Sequence, residues 1–138
     1  MTNHFETAVT ATAVTGGARL DFLPRVVGAH YLRAEQSVYN YMDYLATDYT
    51  GAQWAYYDLS NGGFYMAPQL DGPLQIEVDT NGYSGEMSAD AAGIVACLFM
   101  LGALAAKTRD DTIIDRYHQL REYVHGHEEA SAIFRAID

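Results

Sequence analysis

A chain of 138 residues that is 49 % apolar and 19 % charged can bury a real core and is too apolar to stay disordered. Its net charge of −10 is unevenly placed: residues 34–106 carry nine acidic residues and no Lys or Arg, against +1 for residues 1–33 and −2 for residues 107–138. That field repels nucleic acid and favours basic partners, so stable direct DNA binding is not expected.

Residues 1–19, rich in Thr and Ala and without periodicity, read as a flexible N-terminal arm, and residues 20–138 as one domain. The first thirty residues lack a basic segment followed by an apolar one, so no secretory signal and a cytoplasmic location are expected. Leu20, Phe22, Leu23, Val26 and Val27 form the first apolar cluster, with Pro24 suited to a first helical turn. From Arg33 to about Tyr49 the apolar residues keep steps of three and four, which predicts an amphipathic helix.

Strands follow. Gln53–Leu59 alternates, Ser60-Asn61-Gly62-Gly63 is turn chemistry, and Phe64–Ala67 returns until Pro68 ends it. Pro73–Val78 puts Leu74, Ile76 and Val78 on one face, and Tyr83–Met87 offers a short fourth strand after another turn. Consecutive hairpins predict an antiparallel meander of three or four strands.

Ala91–Ala106 holds only apolar types and glycine, so it belongs in the middle of a domain; it is short of the roughly 20 residues that span a bilayer. Ser88 is its natural N-cap, worth about 1 kcal/mol, with Asp90 in the first turn. The single cysteine, Cys97, lies inside this helix and reads as a small buried residue. Asp110 or Asp111 caps the next helix, Gly126 ends it, and Glu128–Ile137 forms a last short one. The fold class is therefore α+β, a meander packed against about four helices around a central buried one.

Chemistry-bearing constellations are weak. Glu86 and Asp90 already occupy the positive end of the central helix, and no nearby Lys supplies a phosphate clamp, so the entry loop is a cap and not an anion site. His118, His125, His127 and Glu128 lack the spacing of a metal set, and neither metal nor cofactor is expected. Ser60, Ser84 and Ser88 lie near turns without the glycine pattern of a nucleophile elbow, so no catalytic residue is assigned. Asp138 adds its carboxylate to a helix C-terminus, against the macrodipole by about 0.3–1 kcal/mol, which makes it a candidate anchor for a basic partner.

Two long phrases, Leu59-Ser60-Asn61-Gly62-Gly63-Phe64-Tyr65-Met66-Ala67-Pro68 and Ser84-Gly85-Glu86-Met87-Ser88-Ala89-Asp90-Ala91-Ala92-Gly93-Ile94-Val95-Ala96, resemble the KlcA/ArdB antirestriction family. The Phe22-Leu23-Pro24 cluster and the ending Ala132–Asp138 are similar to it as well, so the likeness runs from about residue 20 onward. The resemblance implies a small bacterial protein of plasmids and other mobile elements that protects incoming DNA from type I restriction–modification enzymes, without catalysis or cofactor. It transfers no binding residues. The expected contact is an acidic surface, with Asp43, Asp48, Asp58, Asp71, Glu77, Asp79 and Asp138 as partner-binding residues. It would meet a basic patch on the restriction complex or on an accessory factor, and no membrane. The alternative is a nucleic-acid-binding accessory module, which would need Arg19, Arg25, Arg33, Lys107, Arg109, Arg116 and Arg121 gathered on one face.

Overall fold

The computed structural model describes residues 8–138, in which five strands and four α-helices surround one long central helix. Strand β1 (Ala11–Val14) is followed by a 3-10 turn, by helix α1 (Phe22–Val27) with Pro24 near its start, by a second 3-10 turn (Gly28–His30) and by α2 (Tyr31–Leu45). Of the arm expected over residues 1–19, the first seven lie outside the described residues. The rest needs correction, because Ala11–Val14 pairs antiparallel with β2 (Trp54–Leu59), Ala11 opposite Leu59 and Val14 opposite Tyr56. Backbone pairing made a strand there where side-chain periodicity gave no signal.

Helix α2 buries Ala34, Val38, Met42 and Leu45, as its three-and-four spacing requires. It starts two residues before the expected Arg33 and stops at Leu45, short of Tyr49. At Ala46 the backbone turns extended and bridges to Ile76, and the Thr47 N–H donates to the Gln75 carbonyl at 3.3 Å. A strand competes successfully for the end of that helix.

The expected α+β class and single domain are what the chain forms, but the one meander is divided. β3 (Phe64–Pro68) pairs with β2 to complete a three-stranded sheet in the order β1-β2-β3. β4 (Leu74–Val78) pairs with β5 (Tyr83–Met87) in a separate two-stranded sheet, with Gln75 opposite Glu86 and Glu77 opposite Ser84. The break falls between Pro68 and Pro73, neither of which can donate to a ladder.

Helix α3 (Ala89–Thr108) packs against α2, β3, α4 (Asp111–Val124) and α5 (Ala130–Ile137). It is long and apolar enough to cross a membrane, yet most of it is buried in the molecule. It lies so close to β3 that a Cβ on Gly93 would sit 2.5 Å from Ala67 Cα. One turn later Cys97 meets the strand edge: the Met66 N–H donates to Cys97 Sγ at 3.4 Å, and the thiol lies 3.5 Å from the Met66 carbonyl.

Both hairpin turns are tied to the C-terminal helices. Asn61 Nδ2 donates to the Gln119 carbonyl at 2.9 Å, and Asn81 Nδ2 to the Ala136 carbonyl at 2.9 Å. Each asparagine also folds its own turn, its Oδ1 accepting from the N–H two residues on, Gly63 or Tyr83.

Candidate functional site

The small sheet buries Leu74, Ile76 and Val78 against the core, so period two sends Gln75 and Glu77 outward, with Ser84 and Glu86 opposite them. Glu77 accepts from Ser84 Oγ at 2.7 Å and Gln75 Nε2 at 2.6 Å, and these bonds, that from Ser84 first, hold its carboxyl below the usual range. The end of α2 joins this face. Asp48 Oδ1 accepts from the Gln75 N–H at 3.1 Å, and Tyr44 Oη donates to Asp79 Oδ2 at 2.7 Å. Asp43 is exposed on the last turn of α2 beside Tyr44. Asp48, Glu77 and Asp79 thus surround the junction of α2 with β4, while Asp43 is on the exposed side of the last turn of α2.

The other three acidic residues stand apart. Asp58 makes a two-point contact with Arg25, both bonds 3.1 Å, across the exposed face of β2. Asp138 is 3.4 Å from Arg121. Asp71 is exposed in the loop between the two sheets. An arginine neutralises Asp58 and another Asp138, which the linear sequence does not reveal because partner and acid are 33 and 17 residues apart.

The second grouping lies at the head of α3. Ser88 Oγ accepts from the Ala91 N–H at 3.1 Å, and Ser88 also bonds the Glu129 carboxylate through both its N–H, at 2.9 Å, and its hydroxyl. Asp90, expected only to face the helix dipole, accepts from Tyr65 Oη at 2.7 Å and His127 Nε2 at 2.8 Å. Ser88, Asp90, His127 and Glu129 border an open hollow of about 370 Å³. Burial pushes Asp90 up, but the bonds from His127 and Tyr65 outweigh it and hold the carboxyl below its usual range. The Asp90 bond raises His127 above the ordinary histidine range, against partial desolvation. Burial first, then the Asp90 bond, push the Tyr65 phenol far up, so it remains a donor.

This cluster has the residue types of a hydrolytic site without its connectivity. His127 Nδ1 accepts from the Glu129 N–H at 2.9 Å while Nε2 faces Asp90, so neither nitrogen presents a lone pair to Ser88. Ser60 Oγ accepts from the Thr10 N–H, and Ser84 Oγ is bound to Glu77. His125 packs at a tilt against Phe134 with ring centres 4.9 Å apart, and no group of three metal ligands occurs among the described residues. What the cluster does is fasten the start of α3 to the loop before α5. Glu129 and Tyr65 were missed in the sequence; Glu129 carries no local signal, since its partner lies 41 residues away.

The cations divide similarly. Arg19 donates to the Trp54 carbonyl, Arg116 to the Val26 carbonyl, and Arg25 and Arg121 pair with acids. Arg33, Lys107 and Arg109 are exposed toward the end where His30 bonds Asp110 at 3.0 Å. They are interspersed with Asp110 and Asp111, not gathered into a broad basic surface.

Comparison with known proteins adds to this geometry. A family model described as antirestriction protein matches residues 47–138. The chain is 55 % identical over 135 residues to antirestriction protein KlcA of Escherichia coli, covering 94 % of this chain and 95 % of that one. It is 39 % identical over 140 residues to the uncharacterized protein YafX of E. coli strain K12, covering 99 % of this chain and 92 % of that one. A solved structure superposes with a TM-score of 0.90 at 56 % identity, covering 99 % of this chain and 100 % of the other. That work describes KlcA and ArdB as showing a novel fold and antirestriction activity against type I DNA restriction systems in vivo but not in vitro.

Proposed function

The chain belongs to the antirestriction protein family, and from that premise we propose that it protects incoming mobile-element DNA by counteracting type I restriction–modification enzymes in the cytoplasm. It acts through protein–protein contact made by its acidic face, without catalysis and without a cofactor. The observation that carries this reading is the grouping of Asp48, Glu77 and Asp79 at the end of α2, with Asp43 exposed on its last turn, on a surface built from a stretch that contains no Lys or Arg. Such a face is complementary to a basic patch and steers it inward over the 8–10 Å reach of charge at ordinary ionic strength.

The activity described for KlcA and ArdB in vivo but not in vitro favours a contact that needs a cellular component beyond the isolated restriction enzyme. An accessory factor, or a state of the restriction complex found only in cells, fits that description. Against catalysis stands the wiring of the Ser88 cluster, in which the imidazole is engaged at both nitrogens. Against direct DNA binding stands the dispersal of the arginines into internal bonds.

The test is charge reversal at Asp43, Asp48, Glu77 and Asp79 together, read by plating efficiency of unmodified phage on restricting cells that express the variant. Loss of protection with the fold retained is expected. Full protection by a folded variant overturns the acidic-face reading.

A further inference from the structure

Part of the solvent side of α2 is left uncovered by the rest of the described chain. Ser37, Asn40, Tyr41 and Tyr44 line an open hollow of about 300 Å³ on it. Its walls are aromatic and held in place. Tyr41 stacks on Phe99 of α3 with ring centres 5.6 Å apart, and Tyr44, although 62 % exposed, is tethered at its tip by the Asp79 bond. An exposed ring already fixed in one position surrenders little further freedom when a partner covers it, which is how interface anchors gain affinity.

Charge decides what covers it. Asp43 stands beside Tyr44 on α2, Asp79 bonds the ring's hydroxyl, and Asp48 lies just beyond the helix end, in a stretch that has no cation of its own. An anionic partner is repelled. An ammonium is drawn in only as a point charge, whereas a planar guanidinium both lies on a tyrosine face and offers paired N–H groups to a neighbouring carboxylate. We infer that Tyr44 and Asp79 form the receiving site for an arginine side chain of a basic partner protein. The inference rests on the acidic-face reading and names the residue type received at its centre.

Nona-arginine and nona-lysine peptides at equal ionic strength are the probes, with affinity measured by calorimetry and the ring resonances of Tyr44 followed by NMR. Nona-arginine should shift the Tyr44 resonances and bind more tightly than nona-lysine. Tyr44→Ala should weaken nona-arginine binding about tenfold or more and bring it to the nona-lysine level, and Asp79→Asn should do part of this. Tyr44→Phe, which keeps the ring and loses the tether, should fall between wild type and Tyr44→Ala. Equal binding of the two peptides, or indifference of nona-arginine binding to Tyr44→Ala, overturns the inference. Phage plating separates the two levels. Protection lost on quadruple charge reversal but untouched by Tyr44→Ala with Asp79→Asn sinks the arginine site alone, whereas protection that survives the quadruple reversal sinks the acidic-face reading beneath it.

Discussion

Cys97 and Met66 join a helix to a strand edge: the Met66 N–H points at the sulfur, and the thiol at the Met66 carbonyl. The far edge of β3 is thereby closed by a helix where a further strand would otherwise pair. Replacing Cys97 by Ala orphans a buried N–H and should cost about 1–3 kcal/mol. Cys97→Ser, which keeps a donor and an acceptor, should cost less. Urea unfolding of both variants checks the order, and a serine variant less stable than the alanine one would show that the sulfur contributes packing alone. Burial pushes the thiol up to about 12, so it should resist a thiol reagent at neutral pH until the protein unfolds.

Gly93 sets the distance at which this closure works. A methyl group there would lie 2.5 Å from Ala67 Cα and 2.6 Å from the Met66 carbonyl oxygen, backbone atoms that cannot swing aside. Gly93→Ala should destabilise by about 3 kcal/mol, the upper end of the overpacking range, despite the better helix propensity of alanine. A thermal melt unchanged from wild type would refute the close approach.

The Asp90–His127 pair gives stability a pH window. Asp90 is held below its ordinary value of 3.8, so its contribution is present above that value and is lost as pH falls through the lower folded one. The Asp90 bond holds His127 above its ordinary 6.5, so the contribution of that bond is complete below 6.5 and fades as pH rises through the folded value, offset in part by the Glu129 N–H, which loses its Nδ1 acceptor when the ring is protonated. Stability from this pair should be greatest between those limits. Asp90→Asn should flatten both limbs and cost about 1–2 kcal/mol, the lower part of the range for bonds to charged groups because the carboxylate is partly open to water. Denaturation midpoints measured across pH would show two limbs in wild type and, in the variant, a weaker alkaline limb and a shallower acid one, the remainder belonging to Glu77 and Asp110.

Ser88 serves two masters, the first turn of α3 and the Glu129 carboxylate before α5. Ser88→Ala should cost about 1–2 kcal/mol, the larger part of the capping range, since Glu129 loses its hydroxyl partner at the same time. Hydrogen exchange should report faster opening both at Ala91 and at residues 129–131. Effects confined to the α3 end would mean that the Glu129 link carries no stability.

Asp58 and Asp138 should matter less to partner binding than Asp48, Glu77 and Asp79, because Arg25 and Arg121 already offset their charge. Both ion pairs are exposed, so Asp58→Asn should alter stability by less than about 1 kcal/mol. Single reversals at the five positions, ranked by phage plating efficiency, test the division.

Helices and turns were legible because their signals are local. The spacing of Ala34, Val38 and Met42, the Ser88 cap and the Asn61-Gly62 turn all act within a few residues of themselves. The ending of α2 was not, since Leu45 is followed by residues that keep helical spacing and are claimed by β4, some thirty residues later. Strand β1 escaped for a similar reason: Ala11–Val14 is half exposed and alternates nothing, so only its partner β2 defines it. The acidic character of the middle stretch could be read directly, but its division into an open group and two arginine-paired members required the fold. The sequence shows Asp90 and His127 as a cap residue and a loop histidine; their meeting depends on α5 folding back over α3.

The two turn asparagines have a consequence for the order in which the protein can be made. Asn61 waits for a carbonyl 58 residues downstream and Asn81 for one 55 residues downstream, both in the last two helices. While the chain is growing on the ribosome, each hairpin therefore emerges before its clasp exists, and the Val26 carbonyl waits still longer for Arg116, 90 residues on. Long-range closures of this kind slow folding. The molecule is completed by its final turns, so a chain stalled before α4 should present two unfastened hairpins to the quality-control machinery and no surface ready to meet a partner.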